Sequence, residues 1–369
     1  MKTKLLNTVS CIIFAAVFLI TGIICMFKPD TEFSESERRM LEKQPQVTFE
    51  SIVSGEYMNN FESYCADQFP KRDIFRSLKA FFTTKILNQK DYNGLFMSEG
   101  HISKLDSKIN PEMINHAAGK FKYIYEKYLE DTQSKVYFTV IPDKNYTLTA
   151  EKDYPSLDYN VFIEKCIEKI PFMQYINICD LLSADDYYKT DSHWRQENIR
   201  DIAQRIANTM ETDISADYTQ KTLDIPFYGV YAGQYPMKVK PDTIKYLTNN
   251  TLKKCKVTYY DNMGYSYKGN IYDLKKANEN DPYELFLSGS QALIEIENMT
   301  AKTNKELVLF RDSYGSSLAP LLVSGYKKIT LVDIRYIKSF ALESYVNFDN
   351  CDVLFMYSTS LLNNSKSLN

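Results

Sequence analysis

Two short segments of the chain carry residue types at spacings that suit nucleophilic catalysis. In FRDSYGSS (310–317) Ser313 stands where an apolar run gives way to a helix-like segment, with Gly315 just behind it. In YYKTDSHW (187–194) Asp191 and His193 lie two positions apart, again ahead of a helix-like segment. A serine at the carboxyl edge of a parallel sheet sits where open α/β folds put their sites, and helix N-terminal N–H groups there can hold an oxyanion. A neutral imidazole whose tautomer is fixed by a carboxylate is the form a general base takes. Taken singly, each segment reads first as a helix cap, through Asp312, Ser313 or Ser316 in one and Thr190, Asp191 or Ser192 in the other. Taken together they supply a nucleophile, a base and an orienting acid.

Scarcity narrows the choice. The chain of 369 residues has only 3 His and 1 Trp. His101 follows the Glu99–Gly100 turn of a hairpin-like stretch, GLFMSEGHISKL (94–105), and is expected to be exposed, while His116 lies off the apolar stripe of its helix and is expected to be solvated. His193 alone has a neighbouring carboxylate and a suitable loop position, with Trp194 directly after it. There is no GxxxxGK[ST], GxGxxG or GxSxG pattern, which removes the common nucleotide, dinucleotide and α/β-hydrolase marks. Of the 7 Cys, Cys11 and Cys25 fall in an apolar run and the other five are scattered without a CxxC, so neither a disulfide framework nor a metal site is expected, and no cofactor. A net charge of -3, from 44 Lys+Arg against 47 Asp+Glu, offers no footprint for nucleic acid.

The elements that must position these residues begin with an apolar run. Residues 5–27 carry no charge and no proline, long enough to cross a hydrocarbon core roughly 30 Å thick. Lys2 and Lys4 precede it and acidic residues follow Lys28, so the positive-inside rule predicts a cytoplasmic tail (1–4), an uncleaved transmembrane signal anchor (5–27) and everything later outside the membrane. Residues 28–90 read as a stalk and helical region; Ile74, Phe75, Leu78, Phe81 and Phe82 share one face of a helix entered after Pro70 and are expected to pack in a core. Residues 91–369 are expected to form the main domain, in which helices and strands alternate from about residue 110. Strands are expected at 136–141, 175–179, 306–310, 328–333 and 352–358, and helices from Pro111 and over 160–170, 195–210, 316–324 and 337–346. That pattern predicts an α/β fold with a parallel sheet flanked by helices. A Tyr-rich stretch at about 215–280 reads as surface loops with an antiparallel flap, or as an aromatic platform for sugar rings.

Six ordered motifs carry a resemblance: SESERRMLEKQP (34–45), CADQFPKRDIFR (65–76), YYKTDSHW, DPYELFLSGS (281–290), RDSYGSSLAPLL (311–322) and VDIRY (332–336). With them the chain resembles the DHHW family of bacterial extracytoplasmic proteins, itself similar to the SGNH-hydrolase-like domains of periplasmic alginate O-acetylation proteins. Ser192 stands where the family has the first of its two histidines, but the Asp-x-His pair survives. The resemblance implies an SGNH-hydrolase-like fold in permuted motif order, with Ser313 as nucleophile, His193 as base and Asp191 as its orienter. It also implies Gly289 as an oxyanion donor, with Arg311, Trp194 and Arg335 as neighbours without an assigned role. The activity it implies is transfer of an acyl group, acetyl by analogy, to a cell-surface or secreted glycan through an acyl-serine, with a multispanning membrane O-acyltransferase as donor partner. A carbohydrate esterase, or a non-catalytic glycan-binding or assembly partner, remains the alternative.

Overall fold

The computed structural model describes residues 2–34, 36–37, 39–148, 154–261 and 264–369; Glu35 and Arg38 of the stalk and Asn262 and Met263 of the Tyr-rich stretch lie outside them. The chain divides into two compact units, one of residues 1–92 with 232–238, the other of residues 93–231 with 239–369.

The first unit opens with α1 (Lys2–Phe27), of which Lys4–Phe27 is long and apolar enough to cross a membrane. Helices α2 (Glu56–Asp67) and α3 (Arg72–Phe81) follow, and a single π-turn, Phe82–Ile86, prolongs α3. A bidentate Arg39–Asp67 pair at 2.7 and 2.5 Å ties the segment after α1 to the end of α2. The helix expected near residue 74 is there, but its apolar face is not in a core: Ile74, Phe75, Leu78, Phe81 and Phe82 are all exposed, and only Ala80 is buried. Periodicity identifies a face without saying what it meets.

The second unit is built on an eight-stranded sheet. In chain order its strands are β1 (Lys135–Ile141), β2 (Gln174–Tyr175), β3 (Lys256–Tyr260), β4 (Ser266–Gly269), β5 (Leu293–Glu297), β6 (Glu306–Arg311), β7 (Lys328–Val332) and β8 (Asp352–Ser358). Across the sheet they run β4-β3-β5-β7-β6-β8-β1-β2. The five from β7 to β2 are parallel, and β5, β3 and β4 add an antiparallel edge. Side chains alternate between the two faces with the period of a strand. Leu307, Leu309, Leu331, Leu354 and Met356 join Trp194, Ile202, Ile206 and Leu318 on one side, under α6 (Arg200–Thr209) and α7 (Tyr314–Leu322). Val308, Phe310, Val353 and Phe355 join Phe121, Ile124 and Phe162 on the other, under α4 (Pro111–Tyr128) and α5 (Tyr159–Lys169). Both faces being covered explains why β6 and β8 read as unbroken apolar runs.

Several local expectations shift. The helix expected over 337–346 is a short 3-10 turn, Ser339–Ser344, and that expected over 195–210 is a 3-10 turn, Gln196–Asn198, followed by α6. Strand β2 is only two residues long. The Glu99–Gly100 turn forms as expected, with φ of 53° and 81°, joining strands Leu95–Ser98 and His101–Lys104. His101, however, is 2% exposed, and its Nδ1 has no hydrogen-bond partner among the described residues. Burial, reinforced by Lys144 and Lys189 nearby, pushes its pKa down to about 4. Within the Tyr-rich stretch β3 and β4 supply two strands of the antiparallel edge, and Tyr235 and Tyr259 are buried while Tyr228, Tyr265 and Tyr267 are exposed.

Candidate active site

Ser313 directly precedes α7, two residues beyond the end of β6, and Asp191 and His193 lie on the loop that follows β2. The connections leaving β6 and β1 depart in opposite directions across the sheet with β8 between them, the topological setting in which open α/β sheets hold their sites. Ser313 and His193, 120 residues apart in sequence, meet there: His193 Nε2 lies 2.7 Å from Ser313 Oγ. His193 Nδ1 lies 2.6 Å from Asp191 Oδ1.

Hydrogen-bond chemistry fixes the direction of this relay. A carboxylate only accepts, so the Nδ1–H donates to Asp191, and in the neutral ring Nε2 is left as the acceptor for the Ser313 hydroxyl. Asp191 is 2% exposed and would prefer to be neutral, yet the charge of His193, the His193 ring and backbone donors and the Val230 N–H together hold its pKa below the usual carboxylate range. Burial pulls the His193 pKa down, but the charge of Asp191 and the bond to it outweigh burial and leave it raised.

The capping alternatives resolve in favour of separate roles. Ser313 makes no side-chain cap; Asp312 does that work, accepting Tyr314 N–H at 3.1 Å through Oδ1 and tying Ser358 N–H at 2.8 Å through Oδ2. The loop of Asp191 is closed by a bridge between Tyr187 and Trp194. Its other supports come from residues without an evident motif. Asp242, buried, accepts the N–H groups of Lys189 and Thr190, the Thr190 hydroxyl and Arg195 Nη2 at 2.7 to 3.0 Å. Lys144, in the loop after β1, is also buried and donates to the carbonyls of Tyr188 and Asp191 at 2.8 and 2.7 Å. Burial pushes its pKa down to about 7, against the pull of Asp191 and Asp242.

The Tyr-rich stretch contributes through its backbone. Val230 N–H donates to Asp191 Oδ2 at 2.8 Å and Gly229 N–H to the Thr190 hydroxyl at 2.9 Å. A Cβ at Gly229 would fall 2.2 Å from the Asp191 Cβ, so only glycine lets this strap approach the acid. Tyr283 stacks on the His193 ring with centroids 3.9 Å apart and planes 12° from parallel, and its hydroxyl lies 2.8 Å from Ser317 Oγ. The glycine could have been suspected from FYGVY and the tyrosine from DPYEL; nothing in sequence marked Lys144 or Asp242.

The remaining expected site residues are distributed unevenly. Trp194 is fully buried, its Nε1 donating to Ser317 Oγ at 2.8 Å and to the Tyr314 carbonyl at 3.2 Å, so it braces the start of α7. Arg311 is buried 3.6 Å from Asp333, with Nε and Nη2 lacking partners among the described residues. Arg335 pairs with the same Asp333 at 2.6 Å. Among the described residues the ion-pair and hydrogen-bond partners of these arginine side chains are Asp333 and the Asp312 carbonyl, and neither arginine bonds to Asp191, His193 or Ser313. Gly289 follows Leu287 and Ser288, all three with positive φ (54°, 53° and 75°), and its N–H is committed to the Phe286 carbonyl at 3.3 Å. Consecutive left-handed residues are costly and persist where the surroundings over-determine them. The N–H groups of Tyr314, Gly315 and Ser316 are likewise taken by Asp312 or Ser313 oxygens. Among the described residues the Ser313 N–H, beside its own hydroxyl, is not engaged in this way.

No family model matches the chain, and no curated protein does. Solved structures do. A DHHW family protein from Eubacterium siraeum superposes with a TM-score of 0.62 at 22% identity, over 75% of this chain and 95% of that one. Bacillus cereus PatB1, solved with a sulfonyl adduct, superposes with a TM-score of 0.60 at 18% identity, over 73% and 95%. The O-acetyltransferase domain of Pseudomonas putida AlgJ is more distant, with a TM-score of 0.45 at 9% identity over 73% and 92%. The first two of these likenesses agree with the α/β fold expected from the motifs, a parallel sheet flanked by helices.

Proposed function

We propose that the chain is a membrane-anchored O-acyltransferase that acts outside the cytoplasm and passes an acyl group, acetyl by analogy, to a cell-surface or secreted glycan. The observation that carries the reading is the continuous relay Asp191–His193–Ser313, at 2.6 and 2.7 Å, on the carboxyl edge of the sheet. In this reading Ser313 Oγ attacks the acyl carbonyl while its proton moves to His193 Nε2. Asp191 stabilises the imidazolium that results. The Ser313 N–H holds the developing oxyanion, and the leaving group collects the proton from Nε2. An acceptor hydroxyl then gives its proton to His193, attacks the acyl-serine and carries the acyl group away, returning the proton to Ser313. Helix α1 serves as the single-pass anchor with its N-terminus in the cytoplasm, and a multispanning membrane O-acyltransferase presents the acyl donor.

The acyl-serine is common to transfer and to hydrolysis, and the acceptor separates them. With an activated acetyl ester and a glycan oligosaccharide, acetylated oligosaccharide is the expected product. Free acetate as the only product would make the protein an esterase, and absence of turnover with either acceptor would make it a binding or assembly component.

A further inference from the structure

Helix α3 presents its two faces in the reverse of the usual sense. Its polar side packs inward: Arg72 and Arg76 reach Glu37 at 2.5 and 3.1 Å, and Arg76 donates to the Gly233 carbonyl at 2.8 Å. Its apolar side faces out. Ile74, Phe75, Leu78 and Phe81, with Phe82 and Ile86 of the π-turn, are each between 47% and 61% exposed. Contiguous apolar surface of this kind, rimmed by polar groups, marks an interaction surface rather than chance exposure.

The chain that leads into this face indicates what covers it. Beyond the end of α1, Thr31 N–H donates to Gln68 Oε1 at 2.9 Å, Gln68 Nε2 returns a bond to the Thr31 carbonyl at 3.0 Å, and the Tyr64 hydroxyl reaches Asp30 at 2.9 Å. These bonds fasten the exit of a membrane-length helix to the end of α2, and α3 begins four residues after Gln68. Lys71, Lys79 and Lys85 are exposed along the same stretch, and lysine stems can lie along an apolar surface while their ammonium groups reach headgroups. The apolar strip contains no hydrogen-bonding side chain with which to specify a protein partner. Phe, Leu and Ile on one side with lysines nearby is the composition of a helix lying in a membrane interface.

We propose that the exposed face of α3 and its π-turn lies in the interfacial layer of the bilayer that α1 crosses. This rests on α1 being the anchor proposed above. The test uses the full chain reconstituted in phosphatidylethanolamine–phosphatidylglycerol vesicles containing brominated acyl chains, which quench tryptophan at short range. Leu78→Trp is the reporter and Phe75→Trp repeats it at a second exposed position. Phe18→Trp reports on α1, and native Trp194, fully buried, sets the unquenched level. The expected result is severalfold stronger quenching of Leu78→Trp and Phe75→Trp than of Trp194, alongside quenching of Phe18→Trp. Quenching of Phe18→Trp without either α3 reporter would overturn the proposal, leave the anchor standing and assign the face to a protein partner or a second copy. No quenching of Phe18→Trp would remove the anchor and the proposal with it.

Discussion

Polarity runs in opposite directions in the two units. In the unit of the sheet, apolar side chains fill the interior, and buried polar groups such as Asp191, Thr190, Asp242 and Lys144 gather on and around the loop that carries His193. In the unit of α1 to α3, Arg72, Arg76 and Glu37 pack inward and the apolar residues of α3 face out. Burying charge is costly unless every group is paired, so its concentration on one loop is informative in the first unit. Exposing apolar area is equally informative in the second. Each unit departs from the ordinary rule at the place for which a role is proposed above.

Removing the nucleophile should have the largest effect. Ser313→Ala is expected to lower ester turnover by at least ~10³-fold while thermal unfolding stays where it is, since Ser313 contributes no cap. Unaltered turnover would move the chemistry away from the relay altogether. Asp191→Asn is expected to cost about 10²- to 10⁴-fold in kcat by offering Nδ1 a partner that can impose the wrong tautomer.

The same variant changes the pH profile. Protonated His193 cannot act as a base, and its pKa is raised by Asp191 against the opposing effect of burial, so activity should rise with pH through a limb above the ordinary histidine value of ~6.5. Asp191→Asn should move that limb to lower pH. The linkage has a matching sign: the stability gained from protonated His193 is complete below the unfolded histidine pKa and is lost as pH rises through the raised folded value.

A paired truncation tests the contrast between the units by stability alone. Leu309→Ala, in the middle of β6 with no exposure, should cost about 2 to 5 kcal/mol in denaturant unfolding. Leu78→Ala, on the outer face of α3, should stay within ~0.5 kcal/mol when measured in the absence of lipid and detergent. A large loss at Leu78 would mean that the face is structural.

What could be read from the residues follows the range of the interactions involved. The strands of the parallel sheet, the hairpin at Glu99–Gly100 and the two segments of the relay are set by local patterns of apolar residues, turns and caps, and these are visible in sequence. Their meeting is a product of topology, and scarcity of histidine left few other partners for Ser313. Most supports of the relay were not legible, because Lys144 binds backbone carbonyls, Asp242 binds two backbone N–H groups besides the Thr190 and Arg195 side chains, and the Gly229–Val230 strap, hinted at only by its glycine, binds through backbone groups of its own. Backbone contacts leave no residue pattern. His101 misled because a turn position predicts exposure only when nothing packs over it; here Ile102 N–H donates to the Lys189 carbonyl at 2.8 Å, binding the hairpin to the loop of Asp191. For α3 the stripe was legible but its direction was not, since the same period serves a core and a membrane surface.

Trapping the acyl-serine tests the central claim most directly. Full chain is incubated briefly with an activated acetyl ester, quenched in acid and digested, and the peptide carrying residue 313 is sequenced by mass spectrometry. One acetyl group on Ser313, absent from Ser313→Ala and much reduced in Asp191→Asn, is the predicted result. An adduct on another residue, or equal acetylation of the Ser313→Ala chain, would contradict it.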